Sequence, residues 1–317
     1  MVKLKKNTNG AQEHMVIASS LIRKRINSVI SKGSIGRDKV IALTNDVKNF
    51  LENLLIGDKL ENLILTQPED LTSLIRGISI NYPNFINPNS DENLLLRNVF
   101  VVHGYNHDDF DKLEFIKRIN VDTCPYCNRS YIYYLSRVGK IKPQIDHFYP
   151  TNLYPFLALT FYNLIPSCQT CNGFGAKEGN CPILHDMINP YLIENEDFEF
   201  TYKIKHINFL NPLMDKNSVE LLMRRKIDGN TKILKLDQLY QQHSDHLLEL
   251  IIKSKVSYSD KYRTYLKSYA GLKFNNSEID RMILGNYSEE DDIHKRPLSK
   301  LYQDIGLSLG LIKRSTQ

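Results

Sequence analysis

Five cysteines are present, and four of them form two C-x-x-C pairs, Cys124-Pro125-Tyr126-Cys127 and Cys168-Gln169-Thr170-Cys171, with forty residues between them. Two such turns can present four thiolates to one Zn²⁺ in a closed tetrahedral site with no position left for substrate, so the metal would be structural; a rubredoxin-like iron site is the competitor. Five cysteines in 317 residues are too few for a disulfide scaffold. Cys181 stands outside both pairs and reads as a buried bystander.

Between the knuckles runs Gln144-Ile145-Asp146-His147-Phe148-Tyr149-Pro150, then Tyr162-Asn163-Leu164-Ile165-Pro166-Ser167, with Asn172 directly after the last paired cysteine. Asn163 follows His147 at an interval of sixteen positions, and Asn172 follows Asn163 at an interval of nine. Cys-x-x-Cys, Asp-His-x-x-Pro, Asn-Leu and Cys-x-x-Cys-Asn in this order resemble the HNH endonuclease family, whose core is a ββα-metal finger. Within it the pattern is most similar to the PtuB-type anti-phage effectors of Septu and some retron systems, which work beside an ATPase with an ABC-type head. The resemblance implies a nuclease, with that ATPase as a partner and the flanking regions as docking surfaces.

Phosphodiester hydrolysis needs an activated water, a cation on the phosphate and help for the departing oxygen. His147 is a suitable base because an imidazole titrates near neutral pH. Asp146 offers a hard oxygen to Mg²⁺ or Mn²⁺, and because neighbouring strand residues face opposite ways, a bend or bulge is expected to bring both to one site. By resemblance, Asn163 would orient His147 or support the metal, and Asn172 would be the second metal ligand, its amide oxygen favouring Mg²⁺ or Mn²⁺ over zinc. Arg129, Lys142 and Lys177 could hold phosphates, although basic side chains are as often simply solvated. His243-x-x-His246 has no cysteine or carboxylate pattern to complete a metal site. Tyr126, Tyr131, Tyr133, Tyr134, Tyr149, Tyr154 and Tyr162 crowd the module and read first as core filler, second as base-stacking platforms.

The elements that must position these groups divide into three regions. From Gln12 to about Asn120 apolar residues recur at helical spacing, in one stripe of Val16, Ile17, Leu21, Ile22, Ile26 and Ile30 and another of Val40, Ile41, Val47, Phe50, Leu51 and Leu54, with Ser34 and Ser90 as caps. Residues 121–191 form the nuclease module, in which 130–137 and 140–146 read as a hairpin turning at Val138-Gly139, with Pro143 making the second strand an edge. Residues 192–317 are mainly helical, with a strand at Phe198 to Ile204, helix from about Asp237 to Ser268 and a last helix over Arg296 to Ile305 with Pro297 in its first turn. The fold class is α+β, predominantly helical around an embedded zinc-stapled finger.

A chain that is 42% hydrophobic and 24% charged is an ordinary globular sequence, which excludes fibrous and wholly disordered classes. Residues 1–39 carry nine Lys and Arg against Glu13 and Asp38, a local excess of seven that exceeds the net +5 of the whole chain. A solvated helix face is the first expectation for that charge and a polyanion-facing surface the second. The basic start is not followed by an unbroken apolar stretch with a cleavage site, and no window approaches a membrane span, so a cytoplasmic protein without membrane contact is expected. The functional expectation is a metal-dependent HNH endonuclease, acting on DNA rather than RNA, in anti-phage defence. Its rivals are an RNA- or tRNA-cleaving toxin with the same site and a zinc-binding adaptor without turnover.

Overall fold

The first helix begins where Asn7 caps it, its side chain accepting the Gly10 amide, and ends at Gly33, whose φ of 66° is the left-handed turn that closes it. This α1 (Thr8–Lys32) buries Ala11, His14, Ala18, Leu21, Ile22, Ile26 and Val29 along one face. Val16 stays exposed, because small Ala11 and Ala18 and the polar His14 belong to the buried stripe that apolar periodicity alone assigns elsewhere. The structure is a computed structural model describing all residues except 37–38, 136–141, 174–175, 208–214, 257–259, 270, 272 and 314–317.

A small ladder follows, β1 (Ser34–Ile35) against β2 (Ile41–Ala42). Ser34 is therefore a strand residue and not a cap, and Val40 and Ile41 precede the next helix instead of joining its stripe. Helices α2 (Asn45–Leu54), α3 (Lys59–Ile64) and α4 (Leu71–Asn81) come next, then α5 (Asp91–Leu96), capped by Ser90 as its sequence suggests. The last runs without a break into a π-helical stretch, Arg97–Tyr105. Gly104 lies in that stretch because a Cβ there would come within 2.9 Å of Ile22 and 3.0 Å of Leu159, so only glycine lets it lie against α1 and the loop before Asn163. Helix α6 (Lys112–Ile119) is capped at its start by Asp111, whose carboxylate accepts the Leu113 and Glu114 amides, and at its end by left-handed Asn120.

The middle region is built on β3 (Gln144–His147) and β4 (Leu164–Ser167), antiparallel and in register from Gln144 opposite Ser167 to His147 opposite Leu164, followed by the one-turn helix α7 (Gln169–Asn172). The partner of β3 is thus not the segment 130–137. Of that segment's described residues only Tyr131 is paired, in a single bridge to Thr123, and the turn at Val138-Gly139 lies outside the described residues. The first knuckle folds residues 124–128 back on themselves, Asn128 donating its amide to the Cys124 carbonyl, which takes the chain out of strand geometry before an extended hairpin can start.

Strands β5 (Glu199–Ile204) and β6 (Val219–Arg225) pair antiparallel, and the helices α8 (Asp228–Ile233), α9 (Leu236–Gln241), α10 (Ser244–Val256), α11 (Asp260–Ser268), α12 (Asn276–Leu284) and α13 (Ser299–Ser308) complete the chain. The last helix starts at Ser299, later than Pro297, because Leu298 adopts a left-handed φ of 63°. The protein is therefore α+β and mostly helical, with three two-stranded ladders among the described residues. No helix among them is long and apolar enough to cross a membrane.

Both flanks hold the middle region. Thr160 Oγ1 donates to the Leu63 carbonyl at 3.0 Å, Thr72 and Tyr149 hydroxyls meet at 2.7 Å, and His14 packs edge-on against Phe161. From the other side Thr123 donates to the His294 carbonyl, and Asn128 donates to the Ile293 carbonyl while accepting the Lys300 amide at the start of α13.

Candidate functional site

The four paired cysteines converge. Their sulfurs lie within 4.8 Å of one another, three of the side chains are buried, and Cys127 and Cys168 stand 3.9 Å apart. Tetrahedral Zn–S bonds of about 2.3 Å would separate the sulfurs by about 3.8 Å, so the group fits a zinc ion by spacing and donor chemistry. All four are free thiols, Arg129 donates its amide to Cys127 Sγ at 3.3 Å, and burial pushes the Cys124 thiol far above its ordinary value, a cost that a divalent cation would reverse. Cys181 lies outside the group, buried, with its sulfur 3.3 Å from the Tyr154 hydroxyl.

The second knuckle and α7 place the loop that carries Lys177, whose amide donates to the Cys171 carbonyl. The Lys177 ammonium is fully buried, 3.0 Å from one Asp146 carboxylate oxygen and 3.1 Å from the other, and it also donates to the His147 carbonyl at 2.9 Å. Tyr126, in the middle of the first knuckle, donates its hydroxyl to Asp146 at 2.5 Å. Lys177 is therefore not a surface cation waiting for phosphate: it neutralises the buried Asp146 carboxylate. Asp146 and Asn172 offer hard oxygens on touching elements, yet both Asp146 oxygens are already engaged, so as arranged they do not present a ready site for a divalent cation. Asn172 donates to the Gln144 side chain at 3.1 Å.

His147 stands on the other face. The β3–β4 ladder keeps a regular register with no bulge, so the alternation that buries Asp146 turns His147 outward from it, towards Tyr105. Its Nε2 lies 3.1 Å from the Ala158 carbonyl, and since a carbonyl only accepts, Nε2 carries the proton and Nδ1 keeps the lone pair. The ring meets the Tyr105 ring edge-on at 4.4 Å. Burial pushes the pKa of His147 down to about 4, against which the nearby Asp146 charge pulls upward; the imidazole is neutral at neutral pH instead of poised there. Asn163 is fully buried and does not touch the imidazole. It accepts the Tyr149 amide at 2.7 Å and donates to the Tyr149 and Leu157 carbonyls, which fixes the loop whose Ala158 carbonyl orients His147.

Other residues singled out by type divide. Arg129 spends its Nε on His243 Nε2 at 2.9 Å, while Lys142 is exposed. The carboxylate missing from His243-x-x-His246 is Asp245, whose oxygen comes within 4.8 Å of both imidazoles, but Arg129 occupies one ring and the Tyr302 hydroxyl the other. Tyr126, Tyr149, Tyr154 and Tyr162 are buried as core filler should be; Tyr131, Tyr133 and Tyr134 are exposed, the first two stacked at 4.4 Å. Of the nine basic residues in 1–39, four pair with carboxylates, Lys3 with Glu194, Lys5 with Asp291, Lys6 with Glu69 and Arg23 with Glu61, and Arg25 binds the Asn98 amide oxygen. Arg37 lies outside the described residues, and Lys24, Lys32 and Lys39 are exposed.

Tyr105 is the residue that motif reasoning misses. It ends the π-helical stretch, one such as often accompanies a functional site, and it comes from the helical region outside the cysteine-bounded segment, so no local signal marks it.

No family model matches the chain, and no solved structure matches it. A curated relative is protein Ea31 of Escherichia phage lambda, 32% identical over 92 residues that make up 28% of this chain and 27% of that protein. The chain thus spans about a quarter of the length of the curated relative it matches.

Proposed function

We propose that this chain is an endonuclease of the HNH type, hydrolysing phosphodiesters of nucleic acid, with DNA favoured over RNA. The observation that carries the reading is the state of His147: a neutral imidazole whose Nε2–H is tied to the Ala158 carbonyl and whose Nδ1 lone pair is left for a water proton. Supporting it is the order of elements around that residue, two antiparallel strands and a short helix bounded by a four-cysteine cluster. In the reaction, Nδ1 takes a proton as the water oxygen bonds to phosphorus; the bond to the 3′ oxygen breaks and that oxygen takes a proton from solvent, leaving a 3′-hydroxyl and a 5′-phosphate as in the family. Asn163 contributes indirectly, by holding the loop that orients the imidazole. A Mg²⁺ or Mn²⁺ ion, when bound, would neutralise charge on the phosphate and the departing oxygen. For Asp146 and Asn172 to hold it, Lys177 must give up its place, and no step is derived through it.

One observation favours a second reading: with both oxygens of Asp146 spent on Lys177 and Tyr126, the same residues suit a zinc-binding adaptor that binds nucleic acid without turnover. The anti-phage role and the ABC-type ATPase partner belong to the proposal through the family resemblance alone. Purified protein incubated with plasmid, linear DNA and total tRNA, with and without Mg²⁺ or Mn²⁺, tests it. Cleavage abolished by His147→Ala supports the nuclease. Binding without cleavage in every condition supports the adaptor.

A further inference from the structure

Beside His147 an opening of about 350 Å³ is lined by Tyr105, Lys112, Lys142, Gln144, Ile145 and Asn172. Its two lysines come from separate parts of the chain, Lys112 from the first turn of α6 and Lys142 from just before β3. The Lys112 ammonium sits over the Tyr105 ring at 4.5 Å, and the same ring meets the His147 imidazole at 4.4 Å, so cation and imidazole share one aromatic neighbour.

Lys112 gains a cation–π contact from Tyr105, but among the described residues neither lysine is given a charged partner. A cation at the first position of a helix opposes the helix dipole. Lys117, on the same helix, pairs with Glu114, whereas among the described residues neither Lys112 nor Lys142 is ion-paired, and Asp108 faces Lys112 without bonding to it. The two cations instead face each other closely enough that Lys142, after burial, is the next cause lowering the Lys112 pKa. Convergent unpaired cations around an open space are relieved when an anion enters between them.

We propose that Lys112 and Lys142 seat a backbone phosphate of a polynucleotide beside the Tyr105 ring that packs against His147. Lys112 meets the imidazole through the Tyr105 ring, so the seat would position the strand and not take part in bond breaking. The inference rests on the nuclease reading for the identity of the strand, and it would hold equally for an adaptor that binds without cutting.

The test is binding of a labelled oligonucleotide, single-stranded and duplex, by wild type and by Lys112→Gln/Lys142→Gln over a range of salt concentrations without divalent cations. Removing the one phosphate contact should make the slope of log affinity against log salt shallower by about 0.9 on duplex or about 0.7 on single strand. Lys117→Gln, which removes a charge from the same helix outside the opening, should leave the slope unchanged. Lys142→Gln alone, at an exposed side chain, should remove about half the effect even if Lys112 variants fold poorly, with zinc content and unfolding midpoint as the folding controls. Wild-type binding with the same slope in the folded double variant overturns the phosphate seat and leaves the nuclease reading intact. No wild-type binding to DNA or RNA overturns both.

Discussion

Replacing Lys177 by Met isolates the contact on which the candidate site turns. The substitution keeps most of the side-chain volume and removes an ammonium that has no exposure and lies 3.0 to 3.1 Å from both Asp146 oxygens. Breaking a buried pair strands its partner's charge and costs about 3–5 kcal/mol, against about 0–1 kcal/mol for an exposed pair. Lys6→Met, which removes the exposed partner of Glu69, is the matched control and should cost less than about 1 kcal/mol. Asp146→Asn keeps the shape and the Tyr126 contact while stranding the ammonium, so it should cost about as much as Lys177→Met. The double variant should be less damaged than the two losses added together, by about 2 kcal/mol or more. For 317 residues unfolding together, a single loss of about 3–5 kcal/mol lowers the thermal midpoint by roughly 5–8 °C. Denaturant unfolding of the zinc-loaded protein measures all four variants. Single losses below about 1 kcal/mol that simply add would refute the buried pair. The same proteins test the cation: with Lys177 gone, Mn²⁺ at one hundred times its dissociation constant should return about 2.7 kcal/mol to Lys177→Met and nothing to the double variant. If Mn²⁺ shifts neither, Asp146 is a structural carboxylate only.

Elemental analysis should find about one zinc per chain, and Cys127→Ser or Cys171→Ser should yield poorly folded protein, since structural metal binding is coupled to folding; a soluble, metal-free, active double variant would end that argument. His147→Ala should lower cleavage roughly 10²–10⁴-fold with zinc content and oligonucleotide binding retained, as loss of a positioned base does. With its pKa pushed down to about 4, His147 is fully neutral well below neutral pH, so the cleavage rate should climb as pH rises through about 4 and show no imidazole limb near 6.5; a limb there, absent from His147→Ala, would contradict the burial described. His14 is 1% exposed, bonded through Nε2 to the Leu159 carbonyl, and desolvation lowers its pKa from 6.5 to about 4. Its neutral form is the one folding favours, so stability is fully present above pH 6.5 and falls by about 3 kcal/mol as pH drops to about 4. In His14→Phe the decline over that window should be visibly shallower in denaturant titrations.

The four-cysteine cluster was legible in the sequence because metal-ligand chemistry is written in residue type and spacing: two C-x-x-C turns need only be brought together for four sulfurs to meet. Helix α2 was legible because Val47, Phe50, Leu51 and Leu54 repeat at the helical period and are all buried, and Ser90 because capping is a local hydrogen bond. Local chemistry likewise singled out Asp146 and His147. What the residues of this segment do to one another was decided only by the tertiary structure. Periodicity could not tell that β3 pairs with Leu164–Ser167 across a loop instead of with the nearer Tyr-rich segment, since strand partners are chosen by packing. Nor could it tell that a regular ladder sends Asp146 and His147 to opposite faces, or that Lys177 folds inward to neutralise Asp146. Long-range packing also redistributes charge: four of the basic residues of 1–39 pair with acidic partners, two as remote as Glu194 and Asp291, while Lys112, unremarkable as text, converges with Lys142 beside Tyr105. Spacing determines what a short segment can do by itself; long-range packing sets the dielectric and the partners that decide what each charge does.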